Sequence, residues 1–137
     1  MCGVAGTISL SGNPVDPGLV TRMGAMLAHR GPEDRGVLVD SEVGLAHTRL
    51  SIIDVAGGQQ PMTLDGGRLW VTFNGEIFNY IELREQLLGQ GHRFSTRSDT
   101  EVILHLSERY GTDCVRMMNG QWALAIWDTR RRRLFLS

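Results

Sequence analysis

The chain has 137 residues, of which 42% are hydrophobic and 21% are charged, and its formal net charge is −1. This composition is typical of one globular domain, and the small net charge gives no global field that would attract nucleic acid or a membrane surface. The sequence contains no lysine, two cysteines and no apolar run near the ~20 residues of a membrane span, so it excludes lysine-based phosphate or Schiff-base chemistry and predicts a cytoplasmic protein with free thiols.

In the first half of the chain, the hydrophobic pattern predicts strands over 4–12, 36–40 and 43–53 and a helix over 16–31. We expect Asp16 to cap this helix and Pro17 to occupy its first turn. In the second half, it predicts strands over 68–75, 121–128 and 133–137 and helices over 79–91 and 98–111.

Three details of the second half matter for the fold. Strand 68–75 is expected to end at a tight corner, and Asn79 is expected to cap the helix that follows. Strand 121–128 is expected to be buried between layers, because residues 122–127 are apolar on both faces. Strands outnumber helices and are arranged as hairpins rather than βαβ units. The predicted fold class is therefore α+β, with helices packed on mainly antiparallel sheets.

Cys2 stands at the start of the sequence, in "MCGVAG". If Met1 is removed, this residue carries a thiol and a free α-amine together. The ordinary pKa values of a cysteine thiol (about 8.5) and an α-amine (about 7.7–8.0) lie close together, so the amine can serve as the base for its own thiol. The sequence thus predicts an N-terminal nucleophile, and the alternative is a cysteine that merely follows the initiator methionine.

Several motifs along the chain support that prediction. In order, they are "MCG", "RGPEDRG", "LAHTRLSIID", "GGQQPM", "FNGEIFNY" and "SDTEVIL". Together they resemble the N-terminal glutaminase domain of glutamine-dependent asparagine synthetases. These are class II glutamine amidotransferases with the N-terminal-nucleophile hydrolase fold of layered antiparallel sheets. The resemblance covers the whole chain, 1–137, and "RLSIID" followed by "QQPM" is similar to the asparagine synthetase branch in particular.

The resemblance implies a reaction and a set of partners. Cys2 would attack the side-chain amide of glutamine and release ammonia and glutamate through a γ-glutamyl thioester, without a metal or cofactor in this domain. In the family, a second domain uses ATP and magnesium to convert aspartate to asparagine with that ammonia, and the full-length enzyme can form a homodimer. That synthetase domain is absent here, and the glutaminase domain is expected to continue beyond "LFLS", so we expect an incomplete N-terminal piece.

Two alternatives remain open at this level. The chain is either the glutaminase just described, including a subunit that feeds a separately encoded synthetase, or a non-catalytic remnant that binds glutamine or a partner protein. Neither nucleic acid nor a membrane is an expected partner.

The binding residues follow from the groups of glutamine. A guanidinium suits a carboxylate, and both chemistry and resemblance indicate Arg49, with a surface ion pair as the alternative. Asp99 and Glu76 are the expected acceptors for the ammonium. "SDTE" is also a helix N-cap pattern, and the two roles of Asp99 are compatible because one carboxylate has several lone-pair sites. Backbone carbonyls of the segment after Arg49 are expected to help: Leu50, Ser51, Ile52 and Ile53.

"FNGE" supplies the predicted oxyanion donors. Charge that develops on the amide oxygen would be stabilised by the side-chain amide of Asn74 and the backbone N–H of Gly75. The alternative is an ordinary "NG" turn between strands.

The remaining histidine, cysteine and arginine residues are expected to have structural roles. The four histidines (His29, His47, His92 and His105) show no metal-ligand spacing, and no zinc site is predicted. Cys114 is expected in the core. The arginine run Arg130–Arg133 is expected to be a solvated turn or a domain contact rather than a nucleic-acid site. Arg30 is expected to brace the active-site wall through ion pairs.

Overall fold

The structure is a computed structural model that describes residues 1–137, except for the side chain of Asp65. Its strands are β1 (Gly3–Ile8), β2 (Asp34–Asp40), β3 (Val43–Arg49), β4 (Met62–Thr63), β5 (Leu69–Ile77), β6 (Gly120–Asp128) and β7 (Arg133–Leu136). Its α-helices are α1 (Pro17–Met26), α2 (Tyr80–Gly89) and α3 (Asp99–Tyr110), and two 3-10 helices span Asp65–Gly67 and Gly111–Met117.

The strands form two antiparallel sheets. One sheet has the order β1-β3-β2 and the other has the order β4-β5-β6-β7. All seven residues of β3 are buried because it is the central strand of its sheet. Antiparallel sheets with packed helices confirm the predicted α+β class.

Apolar side chains join these layers. The larger core cluster takes residues from β5, β6, α2 and α3, and a second cluster brings Val43 and Leu45 of β3 against Ala125 and Trp127 of β6. The expected burial of the sixth strand is thus confirmed from Leu124 onward, while Ala123 before it is exposed. No helix in the described part of the chain is long and apolar enough to cross a membrane.

The two predicted helix caps have different outcomes. Asp16 accepts hydrogen bonds from the backbone N–H groups of Gly18 and Leu19 at 2.8 and 3.2 Å, as predicted. Asn79 occupies the N-cap position of α2 as predicted, but its side chain makes no capping hydrogen bond. Its side chain instead donates to the Met117 carbonyl at 3.0 Å and accepts from the Asn119 N–H at 2.8 Å, which ties the start of α2 to the chain before β6.

Two strand ends also differ from the prediction. Strand β3 ends at Arg49 rather than Ile53, and a loop over residues 50–60 follows it. Strand β5 does not end at a corner at Gly75. It continues to Ile77, with Gly75 paired to Trp122 of β6, so the "NG" pair lies within a strand.

Two structural interpretations agree with the fold. Cys114 is fully buried, and this burial raises the pKa of its thiol. Within the arginine run of the β6–β7 turn, Arg132 pairs with Glu42 and lies 3.6 Å from Asp40 Oδ2, and its guanidinium stacks over Trp127 at 5.1 Å. The turn therefore contacts the β2–β3 hairpin of the other sheet.

Candidate active site

A cavity of about 350 Å³ lies where the two sheets, α3 and the 50–60 loop meet. Its volume is in the range of small-molecule sites. Nine of the ten residues predicted for the site line it: Cys2, Arg49, Leu50, Ile52, Ile53, Asn74, Gly75, Glu76 and Asp99. Four separate stretches of sequence thus converge on one volume.

Ser51 is the tenth residue, and it is not among the residues that line the cavity. Its backbone N–H donates to Glu33 Oε2 at 2.5 Å, and this hydrogen bond lowers the pKa of the Glu33 carboxyl. Ser51 therefore anchors the loop to the "RGPEDRG" segment, and in this geometry it supplies no cavity wall.

The thiol of Cys2 lies against the backbone of Leu50. Its Sγ is 3.4 Å from the Leu50 nitrogen and 3.6 Å from the Leu50 carbonyl oxygen. The carbonyl can accept from the thiol, and the N–H is the donor that a thiolate would use. Arg30 donates from Nε to the Cys2 carbonyl at 2.9 Å, so the expected brace is a hydrogen bond to the backbone rather than an ion pair.

Arg49 is 4% exposed, which excludes the surface ion pair considered for it. Its Nη1 donates to the Val55 carbonyl at 2.9 Å, and its Nη2 donates to the carbonyls of Ile53 and Asp54 at 3.0 and 2.7 Å. The guanidinium therefore organises the 50–60 loop and also lines the cavity that the loop encloses.

Asp54 lies within this loop and fixes it to a second segment. Its carboxylate accepts from the backbone N–H of Arg97 at 2.7 Å and of Gly57 at 3.0 Å. The hydrogen bond from Arg97 is the main cause of a lowered pKa at Asp54. The loop is thus attached to the segment that leads into α3, which carries Asp99.

Asn74 and Gly75 lie near the end of β5, beside Trp122 of β6. A Cβ atom built on Gly75 would lie 2.2 Å from the Gln121 carbonyl oxygen and 2.7 Å from Trp122 Cα. Glycine is required at this position because the neighbouring strand passes so close, and not because a turn needs it.

Asp99 is buried, and its burial raises the pKa of its carboxyl group, although backbone N–H groups of Thr100 and Ile77 act in the opposite direction. The N-cap of α3 is Ser98, whose side chain accepts from the Thr100 N–H at 3.2 Å. The "SDTE" stretch is thus an N-cap as the pattern predicted, with Ser98 as the capping residue, and Asp99 beside it lines the cavity wall. Glu76 lines the same wall from an exposed position.

Gln60 is a cavity residue that the sequence analysis left without a role. It is 7% exposed, its Oε1 accepts from the Phe73 N–H at 2.6 Å, and its Nε2 donates to Thr100 Oγ1 at 3.3 Å. One amide thus connects the loop, β5 and α3. In the sequence, Gln60 belongs to "QQPM", which contributes to the family resemblance but does not indicate a role for this side chain. Gln121 and Trp122 were also missed because the register of β6 on β5 is not readable from sequence.

His47 lies between the sheets, close to this site, and its Nδ1 is 3.0 Å from Thr72 Oγ1. Burial, together with the charge of Arg49, lowers the pKa of His47 to about 4. The imidazole is therefore neutral at physiological pH.

The family model described as "Glutamine amidotransferase domain" matches residues 1–137. The chain belongs to this family. It is 40% identical to asparagine synthetase [glutamine-hydrolyzing] 1 of Bacillus subtilis, over 98% of this chain and 22% of that protein. It is also 40% identical to asparagine synthetase [glutamine-hydrolyzing] 1 of Arabidopsis thaliana, over 95% of this chain and 22% of that protein.

A solved structure agrees with this assignment. The glutamine phosphoribosylpyrophosphate amidotransferase of B. subtilis, complexed with ADP and GMP, superposes with a TM-score of 0.75 at 26% identity, over 93% of this chain and 35% of that chain. The α+β fold is therefore of the N-terminal-nucleophile hydrolase type, as predicted. The chain spans about a fifth of the length of the asparagine synthetases named above, within which it corresponds to the glutaminase domain.

Proposed function

We propose that this domain hydrolyses the side-chain amide of glutamine through a γ-glutamyl thioester on Cys2. The observation that carries the proposal is the position of Cys2 in one cavity with Asn74 and Gly75. A nucleophile and two potential oxyanion donors thus face the same space, while Arg49 and Asp99 offer opposite charges for the two ionised ends of an amino acid.

The proposed steps start from the protein without Met1. The Cys2 amine, directly or through water, takes the thiol proton, and sulfur forms a bond to the amide carbon of glutamine. Asn74 and Gly75 donate hydrogen bonds to the oxyanion. The protonated amine then gives its proton to the leaving nitrogen, the carbon–nitrogen bond breaks, and ammonia departs. Water, deprotonated by the same amine, attacks the thioester, releases glutamate and restores the thiol.

The ammonia released in this reaction needs an acceptor. We propose that it passes to a synthetase domain or subunit that binds ATP and magnesium and makes asparagine from aspartate. This proposal rests on the names of the relatives, of which this chain covers 22%.

The nucleophile can be tested with the Cys2→Ala variant and a glutamine-like diazo ketone. We expect the variant to lose glutaminase activity but still bind glutamine, because the binding groups lie on other residues. The reagent should add one label to the native protein, at Cys2. Labelling at Cys114, which is buried in the core, would contradict the assignment.

The role of the α-amine is tested by retention of Met1. In the structure Met1 is present and lines the cavity, so the Cys2 nitrogen belongs to a peptide bond. Protein that retains Met1, identified by intact mass, should produce no ammonia from glutamine. Equal turnover with and without Met1 would contradict the amine mechanism. Glutamine binding without turnover in fully processed protein would instead favour a non-catalytic binding module.

A further inference from the structure

Three side chains with metal-binding atoms meet where the segment after α2 contacts α3. His92 follows the end of α2, and His105 and Glu108 lie three residues apart on α3, which places them on one face of that helix. One ligand atom from each residue lies within 4.8 Å of the other two. None of these residues lines the Cys2 cavity.

The two imidazoles face each other through the same ring nitrogen. Nδ1 of His92 and Nδ1 of His105 share a hydrogen bond of 3.1 Å, and the ring planes are inclined by 71°. Two nitrogens that bind one tetrahedral zinc ion at 2.0–2.1 Å are separated by about 3.3 Å. The spacing thus matches a shared metal ion closely, and the exposed Glu108 side chain can reach the same point from one helical turn away.

The other nitrogen of His105 supports this interpretation. The side chain is 6% exposed, and its Nε2 has no hydrogen-bond partner among the described residues. That nitrogen lies 3.6 Å from Oε1 of Glu101. The Glu101 carboxylate is held in place by hydrogen bonds from the backbone N–H and hydroxyl groups of Ser95 and Thr96. Metal-binding histidines commonly direct their second ring N–H at such a carboxylate.

We propose that His92, His105 and Glu108 form a site for a divalent transition metal such as Zn²⁺, with the fourth position open to solvent. Two imidazoles and one carboxylate suit zinc, cobalt or nickel better than magnesium or calcium. A metal bound there links the segment after α2 to α3. The sequence predicted no zinc site because the histidines lack the spacing of a short metal-binding motif. Such spacing does not reveal that His92 packs against α3.

The test is a zinc titration of the Cys2→Ser variant, in which the accessible thiol cannot bind the metal. Calorimetry should give one site, and saturating Zn²⁺ should raise the midpoint of thermal unfolding by about 5 °C. His92→Ala should abolish that shift and weaken zinc binding at least tenfold, and Glu108→Gln should weaken it by a smaller factor. Both positions are more exposed than His105, so the variants are expected to fold.

The matched control is His29→Ala, which removes an exposed histidine elsewhere and should leave zinc binding unchanged. Cobalt should give a ligand-field spectrum without a thiolate charge-transfer band. Absence of any zinc-dependent shift, or a shift that persists in His92→Ala, would overturn the proposal.

Discussion

Arg49 is a single side chain with two demands on its hydrogen-bond donors. Both bidentate edges of a guanidinium include Nη2, and both hydrogens of Nη2 are directed at loop carbonyls, those of Ile53 and Asp54. A bidentate grip on the carboxylate of glutamine therefore requires one loop hydrogen bond to yield. Otherwise the carboxylate binds through the remaining N–H groups on Nε and Nη1.

The Arg49→Lys variant separates binding from chemistry. Lysine keeps the charge but has no planar fork for either the loop or a carboxylate. We expect KM for glutamine to rise, with a smaller fall in kcat, in steady-state ammonia assays. Arg22→Lys is the control, since Arg22 is exposed on α1 and should leave both constants unchanged.

Asn74→Ala should have the opposite kinetic signature. An oxyanion donor acts mainly in the transition state, so its loss should lower kcat by roughly two to three orders of magnitude with little change in KM. Unfolding curves of the variant should overlay those of the parent protein, because a loss of fold would mimic a loss of catalysis. If only KM changes, Asn74 binds glutamine and is not an oxyanion donor.

At the scale of elements, the junction of β5 and β6 sets the position of both oxyanion candidates. The two strands approach so closely that a Cβ at Gly75 would overlap Gln121, and one at Gly120 would lie 2.0 Å from the Glu76 carbonyl oxygen. Gly75→Ala should therefore force the strands apart and lower the free energy of unfolding by about 2 kcal/mol or more.

Gly89 provides the matched control for this substitution. It is exposed at the end of α2, and a Cβ there meets nothing within 4 Å. Gly89→Ala should be neutral or stabilise by up to about 1 kcal/mol, because alanine favours helix. Urea unfolding measures both variants, and equal stability of the two would show that β6 moves away from Gly75 at no cost.

The sequence patterns predicted elements well where local chemistry decides them. Asp16 caps α1 because its side chain needs only the next two N–H groups. Prediction was wrong where a distant partner decides. The Asn79 side chain bonds to Met117 and Asn119 instead of capping its own helix, and "NG" continues as strand because β6 pairs with it.

On the scale of the whole molecule, the motifs predicted which residues meet but not how they are held. Cys2, Arg49, Asn74 and Asp99 carried recognisable chemistry and do share a cavity. Gln60 shows no recognisable chemistry in the sequence. Its role is structural, because its buried side-chain amide links the loop, β5 and α3. Ser51 is predicted to contribute a backbone carbonyl as part of the segment after Arg49, yet it does not line the cavity and its N–H donates to Glu33. Backbone direction within a loop depends on such partners, and adjacency in sequence does not reveal it.

The two sheets enclose titratable groups, and these make stability depend on pH. The pKa of His47 is lowered from 6.5 to about 4 in the folded protein, so between these values the unfolded chain binds the proton and the folded chain does not. The free energy of unfolding should therefore fall as the pH falls through this window, and His47 should contribute up to about 3 kcal/mol of that decrease. The lowered pKa of His105 acts in the same direction, while the raised pKa of Asp99 offsets part of the loss.

His47→Gln isolates this contribution. Glutamine does not titrate, and its amide can still bond to the Thr72 hydroxyl that His47 contacts. Urea unfolding at several pH values from 7 to 4.5 should give a flatter pH dependence for His47→Gln than for the parent protein. His29→Gln, at an exposed position, should keep the parent's slope. If His47→Gln instead retains the full slope, the proton uptake on unfolding comes from other groups and His47 is not the buried neutral imidazole between the sheets.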